Sequence, residues 1–282
     1  MDKLLSIGMC TYDDFDGVYF SLQSLRMHHL HDKPDTEIII VDNNPTGDHA
    51  KAVQDLCGWI PSVKYVKKDT NAGTASRNEV FNLASGKYTI CMDCHVIFPY
   101  GSIDSLLKFY AENPDCKDLV QGPMMYDNLT GYATHFKPTW GGDMYGQWSE
   151  NKEGYESGKP FDIPMMGLGV FSCETKNWRG FNPMFRGFGG EEGYIHEKFR
   201  QHGGRSLCHP EFKWLHRFGR PRGVKYPLIL EDRIWNYFVG WLELKQDPEH
   251  PMIKEIYENF KTRIPENSLN ILLQNAIKVT IK

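Results

Sequence analysis

The chain has 282 residues, 40% hydrophobic and 24% charged, with a formal net charge of −4, so it can bury a normal core as one large domain or two small ones and offers no global attraction for nucleic acid or an anionic membrane. No run of 18 apolar residues is present, Asp13 and Asp14 break the first apolar stretch, and the seven cysteines are irregularly spaced. Those patterns argue against a membrane-spanning helix, a secretory leader and a disulfide framework, and they predict a soluble protein of the reducing cytoplasm.

Residues 4–10 form a compact apolar run, which predicts the first strand. A polar turn follows, then a helix with Val18, Leu22 and Leu25 at i, i+4 and i+7. The β-branched run 37–44 predicts a strand with a polar exit at Asp42, Asn43 and Asn44. Pro45 to Gly47 turn the chain into a weaker helix reaching about Leu56. A short strand at 63–66, a helix at about 74–84 stopped by Gly86, and a strand at 88–92 repeat the theme. Ile103, Leu106, Leu107 and Tyr110 mark another amphipathic helix, and 118–123 reads as a strand. Strands alternating with helices predict an α/β fold, a mostly parallel sheet with helices on both faces.

Residues 124–166 are rich in Gly, Trp, Tyr and Met and show little periodicity, which predicts a long functional loop. A strand at 167–173, a helix at 191–204 with acids in its first turn, and strands at 205–209 and 212–218 follow. From about 228 the chain reads as helical, with Ile234, Phe238, Trp241 and Leu242 on one stripe. That stripe predicts burial in the chain's own core, a contact between two copies (a homodimer) being the alternative.

Ligands of open α/β sheets bind beyond the carboxyl ends of the strands. Polar residues collect there: Thr11 and Tyr12, Asp42, and Asp93 with His95. No G-x-G-x-x-G follows the first strand, which argues against a classical NAD dehydrogenase. The stretch Cys91 to His95 reads two ways. As C-x-x-C-H it is a haem-attachment signature, but no export signal accompanies it, and a redox pair would open a helix rather than close a strand. As Asp93-x-His95 it offers a carboxylate oxygen and an imidazole nitrogen on one face of a strand. That donor set suits manganese, iron or zinc.

His216, at the end of its strand, is the candidate third ligand. Arg217, Arg220 and Arg222 lie beside it and suit a diphosphate, a solvated loop being the alternative. Glu191 and Glu192 follow a glycine loop at a helix start, where a carboxylate is a candidate general base and plain capping is the alternative.

The order of SIGMCTYDD, IIIVDNN and NAGTASRNEVFNLASGKYTICMDCH resembles the donor half of GT-A fold glycosyltransferases of family-2 type. PTWGGDMYGQW, then the run from Ile163 through GFGGEEG to HRFGR, resembles the acceptor half of polypeptide N-acetylgalactosaminyltransferases, which share the Asp-x-His form. The resemblance covers about residues 4–222. It implies a GT-A domain over 1–227, with a nucleotide-sugar half (1–123) and an acceptor half (124–227), followed by a helical C-terminal extension (228–282). It also implies site roles. Thr11, Tyr12 and Asp42 would hold the nucleoside, and Arg77 with Arg217 or Arg220 would grip phosphate. Cys94 would lie near the donor, and Asp93, His95 and His216 would hold manganese. Phe188 departs from the family's tryptophan, the arginine after the final histidine is displaced, and no membrane anchor or lectin module is seen.

The implied activity is metal-dependent transfer of a sugar from a nucleoside diphosphate sugar, a UDP-sugar first among them. The acceptor is left open among protein, glycan, small molecule and modified DNA base; the basic, aromatic stretch KWLHRFGRPRGVK keeps a phosphate backbone in view. The motifs imply retention, while a base at Glu191 or Glu192 would permit inversion. The 124–166 stretch is expected to close over the donor. A nucleotide-sugar-binding protein without catalysis is the alternative of another class, and intact Asp93, His95, His216 and Glu191 argue against it.

Overall fold

The computed structural model describes residues 3–69, 71–220 and 223–281. The first apolar run extends as β1 (Lys3–Thr11), whose Leu5, Ile7 and Met9 point to one core. Asp14 caps α1 (Phe15–His28) by accepting the Gly17 N–H at 2.9 Å. Val18, Leu22 and Leu25 of that helix are buried against the same face of the sheet. β2 (Thr36–Asp42), α2 (Ala50–Gly58) and β3 (Val63–Lys67) add two parallel strands on one side of β1. A 3₁₀ turn at Gly73–Ser76 then leads into α3 (Arg77–Leu83), and β4 (Gly86–Asp93) pairs parallel with the other side of β1. Gly86 therefore starts a strand; the helix before it has already ended at Leu83.

β5 (Val96–Ile97), α4 (Ser102–Glu112) and β6 (Leu119–Gln121) follow. The stretch expected to be a long loop is ordered as β7 (Met124–Met125), β8 (Tyr132–Ala133), β9 (His135–Gly141), β10 (Met144–Ser149), α5 (Lys152–Glu156) and β11 (Phe161–Asp162). β9 and β10 form an antiparallel hairpin. Aromatic pairs hold it together, Phe136 with Trp148 and Trp140 with Tyr145, rather than one alternating apolar face, so no period of two showed in the sequence.

β12 (Val170–Glu174) lies antiparallel to β4, α6 (Glu192–Gln201) follows, and β13 (Ser206–Cys208) pairs parallel with β6. β14 (Trp214–His216) leads toward the helical tail: α7 (Leu230–Lys245), α8 (Pro251–Phe260) and α9 (Glu266–Thr280). The main sheet has the order β11-β13-β6-β12-β4-β1-β2-β3. One core packs α1, α2 and α4 on one face of it, and a second packs α3, α6 and the tail helices on the other. Ile234, Phe238 and Leu242 of the tail's apolar stripe are fully buried in the second core, and so is Cys91. A small sheet, β5-β14-β7-β8, completes the described strands apart from the hairpin.

Candidate active site

The strand order reverses at β1, which has β2 on one side and β4 on the other. Such a switch point leaves a crevice beyond the carboxyl ends of the two strands. Thr11, at the end of β1, and Tyr12, Asp13 and Asp14 after it enter that cavity; Asp93, at the end of β4, and Cys94 and His95 after it line it too. Antiparallel pairing of β14 with β5 sets His216 opposite Val96 and so brings it to His95, 121 residues earlier. Asp93 Oδ2 lies 3.6 Å from His216 Nε2 and 3.8 Å from His95 Nε2, and the two Nε2 atoms face each other at 3.2 Å. One carboxylate oxygen and two imidazole nitrogens at such separations fit the coordination sphere of a single divalent cation.

Arg220 Nη2 donates to His95 Nε2 at 2.5 Å. A guanidinium only donates, so Nε2 carries the lone pair that a metal would take. The ring proton then sits on Nδ1, 3.4 Å from Asp14 Oδ2. Burial pushes the Asp14 carboxyl up, but hydrogen bonds it accepts from His95 and from the Gly17 N–H outweigh it and bring the group down to about 2. Burial lowers His95 below its ordinary value. Burial also opposes ionisation of Asp93, yet His216 and Arg77 hold that carboxyl below the usual carboxylate range. Arg77 is itself buried, donating to Asp93 Oδ1 at 3.0 Å and to Glu191 Oε1 at 3.3 Å. Desolvation disfavours its charge, but the two carboxylates more than restore it.

The opposite wall comes from two loops: Gly187 and Phe188 before α6, and Arg217, Arg220, Gly223, Lys225, Tyr226 and Pro227 after β14. No residue of the 124–166 stretch, expected to close over the donor, enters this lining, the β9–β10 hairpin included. The hairpin is seated on the tail helices instead, with the Tyr145 N–H donating to the Tyr237 hydroxyl at 2.8 Å and Trp140 Nε1–H to Glu255 at 2.9 Å. Gly73 and Gly187 meet where their loops cross. A Cβ on Gly73 would lie 1.8 Å from the Gly187 carbonyl oxygen, which accepts the Thr74 N–H at 2.9 Å.

Thr11, Tyr12, Arg77, Asp93, Cys94, His95, Arg217 and Arg220 line the cavity, and His216 joins Asp93 and His95 at its edge. Three expected residues are placed elsewhere. Asp42 is buried outside the lining, accepting the Tyr65 hydroxyl at 2.6 Å and the Asn44 N–H at 2.9 Å. Asn43 faces the cavity in its stead, with a buried Oδ1 that has no hydrogen-bond partner. Glu191 and Glu192 are only 1% and 5% exposed and lie outside the lining. Glu191 backs Arg77, accepting from its Nη1 at 3.3 Å. Burial, with help from the charge of Glu191, pushes Glu192 up to about 8.

Arg222 lies outside the described residues. Of the basic stretch 213–225, Arg217, Arg220 and Lys225 line the cavity. Asp13, Asp14, Asn43, Lys225 and Tyr226 had not been picked out from the sequence. Position just past a strand end was the available signal for the first three.

Residues 6–169 match the profile of Glycosyl transferase family 2. Over 141 residues the chain is 27% identical to an uncharacterized glycosyltransferase of Methanocaldococcus jannaschii, covering 49% of this chain and 48% of the relative. The chain thus spans about half the length of that relative. Among solved structures, GalNAc-T7 with UDP, GalNAc and Mn2+ superposes at a TM-score of 0.70 and 16% identity, covering 97% of this chain and 55% of that one. A mannosyltransferase from Pyrobaculum calidifontis in complex with GDP-Man and Mn2+ superposes at a TM-score of 0.56 and 13% identity, covering 99% and 81%. At these identities the likeness is one of fold. Among the described residues no helix is long and apolar enough to cross a membrane. The profile spans more than half of the sequence, and the mostly parallel sheet agrees with the solved structures: the chain belongs to glycosyl transferase family 2 and has a GT-A type fold.

Proposed function

We propose that this chain is a metal-dependent glycosyltransferase, that Asp93, His95 and His216 hold manganese, and that the donor is a UDP-sugar. The observation that carries the reading is the convergence of those three side chains at a cavity also lined by Arg77, Arg217, Arg220 and Lys225. When bound, the ion neutralises the charge that develops on a diphosphate leaving group. Arg217, Arg220 and Lys225 bind the phosphates, the arginines through paired N–H donors. Arg77 keeps Asp93 ionised and fixed. Thr11, Tyr12 and Asn43 hold the nucleoside. Asn43 offers a carbonyl to an imide N–H and an amide N–H to a ring carbonyl, the pattern that uracil presents. Phe188 and Tyr226, with ring centroids 5.1 Å apart, wall the outer side and exclude water.

The nearer kinship we propose is with polypeptide N-acetylgalactosaminyltransferase catalytic domains. The Asp-Cys-His sequence and the fold likeness to GalNAc-T7 support it. With Glu191 and Glu192 withdrawn from the cavity, we read the transfer as retaining. Determining the product anomer by NMR checks this, and an inverted product rejects it.

The test of the whole reading is hydrolysis of UDP-, GDP- and dTDP-sugars with and without manganese. UDP-sugar turnover should require the ion and stop on chelation. Asp93→Ala and His216→Ala should lose on the order of 100-fold or more. Wild-type rates in both variants, or turnover indifferent to metal, reject it.

A further inference from the structure

The thiol of Cys94 has no role in the reading above, yet it sits in a second cluster of ligand atoms. Cys94 Sγ lies 3.7 Å from Asp14 Oδ2 and 3.7 Å from His95 Nδ1, and Asp14 Oδ2 lies 3.4 Å from His95 Nδ1. These atoms gather at the Nδ1 edge of the His95 ring, whereas Asp93 and His216 approach Nε2. A tetrahedral zinc ion with ordinary Zn–S, Zn–N and Zn–O bonds sets edges of about 3.3–3.6 Å between its ligand atoms. The triangle here matches those edges within about 0.2 Å. Cys94 and His95 are 4% and 8% exposed, Asp14 is pinned as the cap of α1, and all three line the cavity. The cavity side is therefore open for a fourth ligand.

We propose that Asp14, Cys94 and His95 form a second metal site, one that takes a thiophilic ion of the zinc class. The ion expels the thiol proton to solvent, and Cys94 binds as the thiolate. A consequence follows if the manganese reading holds, and only this consequence rests on it. A neutral imidazole has a single ring lone pair, and Arg220 marks it as Nε2 in this structure. Zinc at Nδ1 moves the ring proton to Nε2 and withdraws His95 from Asp93 and His216. The two ions compete for one imidazole, so zinc displaces manganese.

The experiment uses the full-length, metal-free protein and cobalt as the spectroscopic substitute for zinc. Wild type should show a thiolate-to-cobalt charge-transfer absorption in the near ultraviolet, abolished by zinc. Cys94→Ser should lack the band, His216→Ala should keep it, and Asp14→Asn should bind zinc at least about tenfold more weakly. Electron paramagnetic resonance should show zinc releasing bound manganese from wild type. No band in wild type, or an undiminished band in Cys94→Ser, overturns the second site. Simultaneous binding of both ions overturns the competition. A band in a protein that binds no manganese supports this site and overturns the manganese assignment instead.

Discussion

Arg77 joins the two acids that the sequence could not connect. Its side chain is buried between Asp93 and Glu191, so its removal strands two carboxylates in a poorly solvated site. Arg77→Ala should cost about 3–5 kcal/mol, the range for breaking a buried ion pair from one side. Denaturant unfolding checks this, and a loss below about 1 kcal/mol would show that the pair is not held as described. Glu192 gives a pH signature. Burial keeps it protonated in the folded protein up to about 8, whereas the unfolded chain releases that proton near the ordinary carboxyl value. Between those two values the folded state holds more protons, so the contribution is complete below the unfolded value and fades as pH rises through about 8. Glu192→Gln should flatten the fall in melting temperature across that window; parallel slopes for the two proteins would refute this. Residue types announced the candidate metal cluster, because Asp93 ends β4 and His95 follows it by two residues. At the end of β2 the cavity lining takes Asn43 rather than the expected Asp42, because the chain turns one residue later.

Among the elements, two glycine loops shape the cavity wall. Gly73 adopts φ +54 and abuts the Gly187 carbonyl. Gly73→Ala therefore meets both backbone strain and a backbone clash. It should destabilise the protein by at least about 1 kcal/mol, and UDP binding should weaken as Phe188 shifts. Calorimetry with nucleotide titration measures both, and an unchanged melting temperature counts against the crossing. The strands and helices of the first half were readable because each is amphipathic or uniformly apolar over its own length. The β9–β10 hairpin was not. Its aromatics answer to partners across the hairpin and on α7 and α8, such as Tyr237 and Phe260, which no local period records.

At the scale of the molecule, the tail helices share a core with α6 and the sheet. Phe238 is fully buried in the same core as Tyr194 and Phe199. Phe238→Ala should cost about 3–5 kcal/mol, and a chain ending at residue 227 should fail to reach a protease-resistant state. Proteolytic release of a stable 1–227 fragment would contradict this. By itself the sequence determined the α/β class and the polar strand ends and named all three residues of the candidate metal cluster, because those depend on periodicity and on residue types at strand ends. Only the tertiary structure decided that His216 meets Asp93 and His95, that Glu191 stands behind Arg77, and that the loop after β14 forms the outer wall. Each of those rests on a contact between segments far apart in the chain, made by strand pairing and core packing, and local pattern carries no record of it.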